Sequence, residues 1–141
     1  MSKKLLYMCL MTMMMVFSMS AYALDQKDGV YQIGTAEDLE AFAALVNGGE
    51  VYANAVLTAD IDKGAEATMI GTDENKYQGI FDGAGHTITI NSFSESTDDL
   101  ALFHYTGFSA LIQNLKVQGT ITTNKKFAAG IVAVNYGTIR G

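Results

Sequence analysis

A carboxylate and an imidazole stand four positions apart in a glycine-rich turn, at Asp82 and His86. Such a pair could exchange protons with a substrate or contribute two metal ligands. In the alternative, Asp82 caps the turn by accepting hydrogen bonds from backbone amides, and His86 begins a strand with its ring outward. The chain has two histidines, and neither lies near a Gly-x-Ser-x-Gly elbow, so a Ser/His/Asp triad does not fit. We favour the structural interpretation and predict no catalytic residue.

A second pair of carboxylates, Asp60 and Asp62, would face the same side of an extended segment because side chains alternate along a strand. Two carboxylates so placed could hold a calcium ion or form the acidic pair of a polysaccharide-cleaving enzyme. The neighbouring sequence offers no further oxygen ligands. Asp60 and Asp62 are therefore weak metal candidates, solvated turn residues are the favoured interpretation, and no cofactor is predicted.

Three tyrosines, Tyr77, Tyr105 and Tyr136, recur along the second half of the chain. If they point outward along one flank, their ring faces could stack on sugar rings, since tyrosine combines an apolar body with a polar tip. The alternative is that they are half-buried tyrosines of ordinary strands. These three residues are the predicted ligand-binding positions.

The elements that must position these residues begin with a helix at about residues 36–46. Thr35 is a good N-cap, Asp38 occupies the capping-box position, and Asn47-Gly48-Gly49 ends the pattern with residues that tolerate left-handed conformations. Apolar residues recur at helical spacing at Leu39, Phe42, Ala43 and Val46. One amphipathic helix cannot bury its own stripe, so we expect it to cap an open end of another structure.

After Gly49 the apolar pattern changes to period two, with short segments rich in Ile, Val, Thr and aromatic residues. Similar units start at Phe81, Phe103 and Val132, and each encloses a glycine. Repetition at a period of roughly 20 to 50 residues is typical of stacked repeats. We predict an all-β right-handed parallel β-helix with one N-terminal capping helix; the alternative is an antiparallel β-sandwich, whose strands are also short.

The segment at positions 1–23 has the pattern of a secretory signal peptide. Lys3 and Lys4 precede an apolar run from Leu5 to Val16, and Ala21-Tyr22-Ala23 provides a cleavage site. The only cysteine, Cys9, lies in this segment, so the mature chain would contain no disulfide. We therefore expect the protein to be secreted or displayed on the cell surface.

Charge and chain length bound the partners. Without Lys3 and Lys4, seven basic residues remain against fifteen acidic ones, so the formal charge changes from −6 to −8. Such a surface repels nucleic acid and anionic lipid, and neither nucleic-acid binding nor membrane insertion after signal cleavage is expected. Residues 24–141 form at most one domain. They stop partway through an expected strand, so we predict a truncated β-helix domain that could self-associate through an open C-terminal coil.

The mature region resembles the N-terminal portion of bacterial secreted and surface proteins that carry the glycine-rich GLUG motif. The shared segments are the helix at 35–47, Leu57-x-Ala59-Asp60-Ile61-Asp62, Tyr77-x-Gly79-x-Phe81-Asp82-Gly83-x-Gly85-His86-Thr87-Ile88, and Gly130-Ile131-Val132-Ala133 followed by Asn135-x-Gly137-x-Ile139. Ala133 stands where glycine is usual, and one copy is present where members show several. The resemblance covers nearly all of the mature chain and implies a parallel β-helix, an exported location and no established activity for the motif.

These observations lead to two functional hypotheses. The first is a non-catalytic secreted or cell-surface β-helix segment that acts in adhesion by binding a glycan or a host protein. The alternative is an N-terminal accessory region of a longer polysaccharide- or protein-degrading enzyme. The first is favoured because acidic residues and histidines are scattered along the chain and form no clear catalytic cluster.

Overall fold

The computed structural model describes residues 23–64, 68–94, 99–124 and 126–141. The predicted signal peptide lies outside these residues except for Ala23. Within the described ranges the chain is β-rich, with thirteen short strands and one α-helix. The first seven strands are β1 (Gln26–Lys27), β2 (Val30–Ile33), β3 (Asn54–Leu57), β4 (Ile61–Asp62), β5 (Ile80–Asp82), β6 (Thr87–Ser94) and β7 (Asp99–Leu100). The remaining six are β8 (Phe103–Thr106), β9 (Leu111–Gln113), β10 (Lys116–Thr123), β11 (Phe127–Ala128), β12 (Val132–Asn135) and β13 (Thr138–Arg140).

The helix α1 spans Ala36–Asn47, one residue beyond the predicted end. Its capping box is present, because Asp38 N–H donates to Thr35 Oγ1 (3.1 Å) and Thr35 N–H donates to Asp38 Oδ2 (3.0 Å). The acidic first turn complements the positive end of the helix dipole. In the described part of the chain, no helix is long and apolar enough to cross a bilayer.

Three polar contacts attach α1 to the chain segments that follow it. Asn47 Nδ2 donates to Met69 O (3.0 Å), and Asn47 Oδ1 accepts from Gly71 N–H (2.7 Å). The ammonium group of Lys63 lies 3.0 Å from Glu40 Oε1, and the Lys63 side chain is almost fully buried. Burial lowers the pKa of Lys63 because it disfavours the charged form, although the Glu40 carboxylate acts in the opposite direction.

The strands form one six-stranded sheet in the order β1-β2-β3-β5-β9-β13, a three-stranded sheet β10-β6-β4, and two two-stranded sheets, β11-β7 and β12-β8. Only β1 and β2 pair antiparallel in the described structure; the eight other strand pairs are parallel. The six-stranded sheet is therefore mixed. An antiparallel sandwich would need antiparallel neighbours throughout, and that pairing is confined here to the short strands β1 and β2.

The register corrects the predicted repeat units. Phe103 pairs with Val132, as the pattern predicted. Phe81, however, pairs with Ile112 and not with Phe103, so the predicted repeat from Phe81 to Phe103 is wrong and the paired repeat is longer. Phe81 and Phe103 resemble each other because both enter the core, where their rings lie 5.2 Å apart, although they belong to different sheets.

Strand β6 is longer than the sequence indicates. The polar and acidic sequence from Asn91 to Asp99 predicts a protruding loop, whereas the strand continues through Ser94. Pairing explains the difference, because β10 runs beside β6 in parallel along its whole length and satisfies its backbone groups. The centre of the predicted loop lies outside the described residues.

The core lies between α1 and the inward faces of the sheets. Phe42 of α1 contacts Tyr31, Tyr77 and Phe81 with ring centroids 5.9 to 6.0 Å apart. Every apolar residue predicted on the helix stripe is fully buried: Leu39, Phe42, Ala43 and Val46. The helix therefore covers the core at the first strands, as the amphipathic pattern predicts.

Candidate functional site

Asp82 caps the glycine turn that joins β5 to β6. Ala84 N–H donates to Asp82 Oδ1 (2.8 Å), and the side-chain amides of Gln113 and Asn114 donate to the same carboxylate at 2.9 and 3.1 Å. Partial burial raises the pKa of Asp82, but these hydrogen bonds outweigh it and lower the pKa below its ordinary value. A carboxylate with its oxygens so occupied is a poor general base, and Asp82 is a turn-capping residue, as the structural interpretation predicts.

His86 pairs with a different carboxylate. Its Nδ1 lies 3.2 Å from Asp60 Oδ1, and Thr87 N–H donates to the same oxygen at 2.9 Å. The hydrogen bond from Thr87, followed by that from His86, lowers the pKa of Asp60. Asp60, which directly precedes β4, is thus hydrogen-bonded to residues at the start of β6, and this is a structural role.

Asp60 and Asp62, the weak metal candidates, accept separate hydrogen bonds from backbone N–H groups. They flank the buried Ile61 and are both exposed, but Asp62 Oδ1 accepts a hydrogen bond from Gly64 N–H (3.0 Å) in its own turn. Among the described residues, no group of three or more His, Cys, Asp or Glu could hold a metal ion. The structure therefore offers no support for calcium binding by this pair.

Tyr77 does not point outward, so its predicted role in ligand binding is wrong. The side chain is fully buried, and its hydroxyl donates to Ala53 O (2.9 Å). Its ring packs between Phe42 and Phe103, with centroid distances of 6.0 and 5.4 Å. Burial raises the pKa of Tyr77, because the tyrosinate would be desolvated. Period-two alternation could not predict this placement, since Tyr77 follows a loop and lies in no strand.

The other two predicted tyrosines lie at the surface, together with a phenylalanine that the sequence did not single out. Tyr136 is 51% exposed and Phe108 is 86% exposed, and their ring centroids are 5.5 Å apart. Tyr105 is half-buried. It pairs with Val134 of β12, and Tyr136 directly follows the end of that strand. We call Tyr105, Phe108 and Tyr136 the aromatic patch.

The turn that carries Phe108 is hydrogen-bonded to the earlier segment at Tyr77 and Gln78. Ser109 Oγ donates to Gln78 O (2.9 Å), and Gly107 N–H donates to Tyr77 O (2.7 Å). A Cβ atom at Gly107 would approach the Gln78 side chain to 2.5 Å, so a larger residue there would have to displace that side chain. This anchoring holds Phe108 in the solvent on a rigid support.

Polar groups border the aromatic patch. The Lys76 ammonium lies 5.5 Å from the centroid of the Tyr105 ring, within the range of a cation–π contact, and 2.6 Å from Asp73 Oδ1. Partial desolvation and the nearby carboxylates of Asp73 and Asp99 raise the pKa of Tyr105. The patch therefore offers apolar ring faces beside a cation and a carboxylate, which can together contact the carbon face and the hydroxyl groups of a sugar.

Comparisons with known proteins add no assignment. No family model matches this chain, and neither the curated proteins nor the solved structures contain a significant match.

A signal for Phe108 was present in the sequence, as a large aromatic residue between glycine and serine in Gly107-Phe108-Ser109. A large apolar side chain in a turn of small residues is a reason to examine it as a contact residue.

Proposed function

We propose that the parallel strand pairs are successive coils of a right-handed parallel β-helix, and that the chain belongs with the GLUG-motif proteins it resembles. The support is the register. The sequence separation between paired residues of β2 and β3, and that between paired residues of β6 and β10, both fall within the period of roughly 20 to 50 residues that stacked repeats show. The Asn135-x-Gly137 segment of the motif forms a local turn, because Gly137 N–H donates to Asn135 Oδ1 (3.0 Å).

A disulfide test addresses this register. Thr89 and Gln118 are direct partners on β6 and β10, and their side chains already meet at 3.1 Å. We expect Thr89→Cys with Gln118→Cys to crosslink rapidly under mild oxidation, since Cα atoms about 5 to 6 Å apart suit a disulfide. The control, Thr89→Cys with Thr120→Cys, shifts the register by two positions on the same face and should crosslink poorly. Equal crosslinking of both pairs would contradict the parallel register.

We propose that the protein acts as a non-catalytic adhesion segment which binds a glycan or a host surface protein through the aromatic patch. The single observation that carries this proposal is the exposed pair of rings at Phe108 and Tyr136, with Tyr105 and Lys76 beside them. Exposed, adjacent aromatic side chains on a rigid support are typical of recognition surfaces. The other candidate residues, Asp60 and Asp82, have carboxylates that already accept hydrogen bonds within the protein. This favours binding over catalysis as the function.

Binding to glycan arrays and to host matrix proteins tests this function. We expect Phe108→Ala with Tyr136→Ala to weaken binding at least about tenfold, because truncating central aromatic residues commonly removes about 2 kcal/mol or more. Tyr52→Ala is the matched control, since Tyr52 is 68% exposed and belongs to a separate part of the chain. The proposal fails if no glycan or host protein binds, or if Tyr52→Ala weakens binding as much as the patch variant.

We further propose that the protein acts outside the cytoplasm. The support is the order of positive, apolar and small residues in positions 1–23. Expression of the full reading frame in a bacterium should give an exported product that begins at Leu24, as measured by intact mass and N-terminal sequencing. Retention of the unprocessed chain in the cytoplasm would contradict this location.

A further inference from the structure

The charges of this chain are segregated along its sequence. All fifteen acidic residues occur at or before Asp99, whereas residues 100–141 contain four basic residues and no acidic one. The four are Lys116, Lys125, Lys126 and Arg140. The net charge of −6 therefore conceals a basic C-terminal third attached to a strongly acidic remainder. Opposite charges concentrated in two regions of one chain can direct association between copies.

Among the described basic residues, Lys116 and Arg140 lie on strands whose second edge is open, and Lys126 directly precedes a third such strand. Each of β10, β11, β12 and β13 has a neighbour on one side only in the described structure. Such edges present backbone N–H and C=O groups that can pair with another chain. We call these four strands, with Lys116, Lys126 and Arg140, the basic edge.

An apolar groove of about 570 Å³ opens beside the basic edge. Leu115, Ile131 and Ile139 line it, together with Lys116 and Arg140. Ile139 is 43% exposed, although its register partner Ile112 is buried. The Arg140 side chain is held in place, because its Nε and Nη2 donate to Gln113 Oε1 at 3.2 and 2.8 Å. A guanidinium has five N–H donors, so it can also contact a carboxylate on a partner.

The opposite end of the six-stranded sheet has the opposite charge. Its edge strand is β1, and exposed acidic residues surround it and the adjoining helix α1: Asp25, Asp28, Glu37 and Glu50. Within residues 24–50, Lys27 is the only basic residue against six acidic ones. We call β1, α1 and these acidic residues the acidic end.

We propose that this chain self-associates head to tail, with the basic edge of one copy seated against the acidic end of the next. Two basic edges meeting each other would place like charges together, so a symmetric contact through this surface is disfavoured. A heterologous contact leaves a free basic edge at one end of the assembly and a free acidic end at the other. Further copies can therefore add until the assembly closes into a ring or stops growing. Tyr136 of the aromatic patch lies between β12 and β13, but the charged residues that carry this inference are not part of the patch. The inference therefore does not rest on glycan binding.

The first test is sedimentation velocity of the full-length chain, in the form in which the producing cell leaves it, over a hundredfold range of concentration. At low salt we expect the mean mass to rise with concentration beyond that of a dimer. At about 1 M salt we expect the monomer, because the Debye length falls from about 10 Å at about 0.1 M to about 3 Å. A monomer under all conditions, or an association that is indifferent to salt, overturns the proposal.

Charge-reversal variants test the orientation. Lys116→Glu with Arg140→Glu should weaken self-association at least about tenfold, because complementary charges at an interface become like charges. Lys27→Glu is the matched control; it reverses one cation at the acidic end and should leave association equal or stronger. Circular dichroism of each variant shows whether it has folded.

A mixing experiment tests for recovered self-association as well as for its loss. Asp25→Lys with Glu50→Lys should self-associate poorly, as should Lys116→Glu with Arg140→Glu. When these two variants are mixed, their unlike ends should associate and the mean mass should rise again. Failure of two folded variants to associate on mixing overturns the head-to-tail contact, as does self-association of either variant at the wild-type level.

Discussion

The two ends of this molecule use the same alternating pattern with different results. At the helix end, α1 covers the core, and Ile33, Phe42 and Phe81 have no exposed surface. At the basic edge, Phe127 and Ile139 are 44% and 43% exposed, although they also belong to β-forming segments. The difference shows that alternation specifies which face a residue occupies, while burial depends on what lies above and below that face.

The largest expected effect comes from the helix end. Phe42→Ala should lower the free energy of unfolding by about 3 to 5 kcal/mol, because it removes a fully buried ring and leaves a cavity among three aromatic neighbours. Urea denaturation followed by circular dichroism measures this change. Phe127→Ala is the comparison at the basic edge, where the ring is 44% exposed and the cost should stay below about 1 kcal/mol. Equal costs would show that the helix does not seal the core.

A sharper comparison uses the same residue type at the same register position. Ile112 is 1% exposed, whereas its parallel partner Ile139 on β13 is 43% exposed. Ile112→Ala should cost about 2 to 5 kcal/mol, the range for a buried isoleucine, and Ile139→Ala should cost clearly less. Urea denaturation of both variants at low protein concentration separates this effect from any contribution of self-association. If Ile139→Ala were as costly as Ile112→Ala under these conditions, Ile139 would have to be buried and the contrast between the two positions would be wrong.

Local signals in the sequence predicted local structure well. Thr35 and Asp38 form the capping box, and the apolar stripe of α1 is buried as its spacing indicates. These features depend on residues within one turn of each other, so the sequence contains them directly. The pairing of Phe81 with Ile112 was not predictable in this way, because it depends on the length of the intervening loops and on strands distant in the chain.

The candidate site was predicted only in part for a similar reason. Tyr105 and Tyr136 reach the surface, but Tyr77 enters the core and Phe108 takes a place in the patch. Whether an aromatic residue outside a strand points inward depends on the space beneath it, and here Phe42 and Phe103 form a site that accepts the Tyr77 ring. Composition and periodicity contain no information about that space.

A polar contact at the helix end should have an intermediate effect. Asn47 makes two side-chain hydrogen bonds to the 69–71 segment, and its carbonyl accepts a third from Asn75 Nδ2 (2.8 Å). Asn47→Ala should cost about 1 to 3 kcal/mol, because it leaves Gly71 N–H and Met69 O without these partners. Gln118→Ala is the control at the basic edge, where Gln118 is exposed and water can replace its hydrogen bond to Thr89 Oγ1. Thermal unfolding of both variants checks the order, and a larger loss for Gln118→Ala would contradict it.

The smallest change at neutral pH is expected for Tyr77→Phe, which removes the hydroxyl that bonds to Ala53 O in the core. The cost should be about 1 kcal/mol, the net value of one hydrogen bond. Its effect should depend on pH, because burial raises the pKa of Tyr77 in the folded state above the value of about 10 in the unfolded chain. The folded state then holds this proton more tightly, so the stabilisation is complete below pH about 10 and is lost as the pH rises above it.

Wild-type protein should therefore lose stability steeply in alkaline solution. The Tyr77→Phe variant should lose less stability over the same pH range. Denaturant midpoints of wild type and Tyr77→Phe, measured from neutral pH to strongly alkaline solution, test both statements. If the Tyr77→Phe curve ran parallel to that of the wild type throughout, ionisation of this buried tyrosine would not drive alkaline unfolding. The contrast between the helix end and the basic edge would then rest on apolar packing alone.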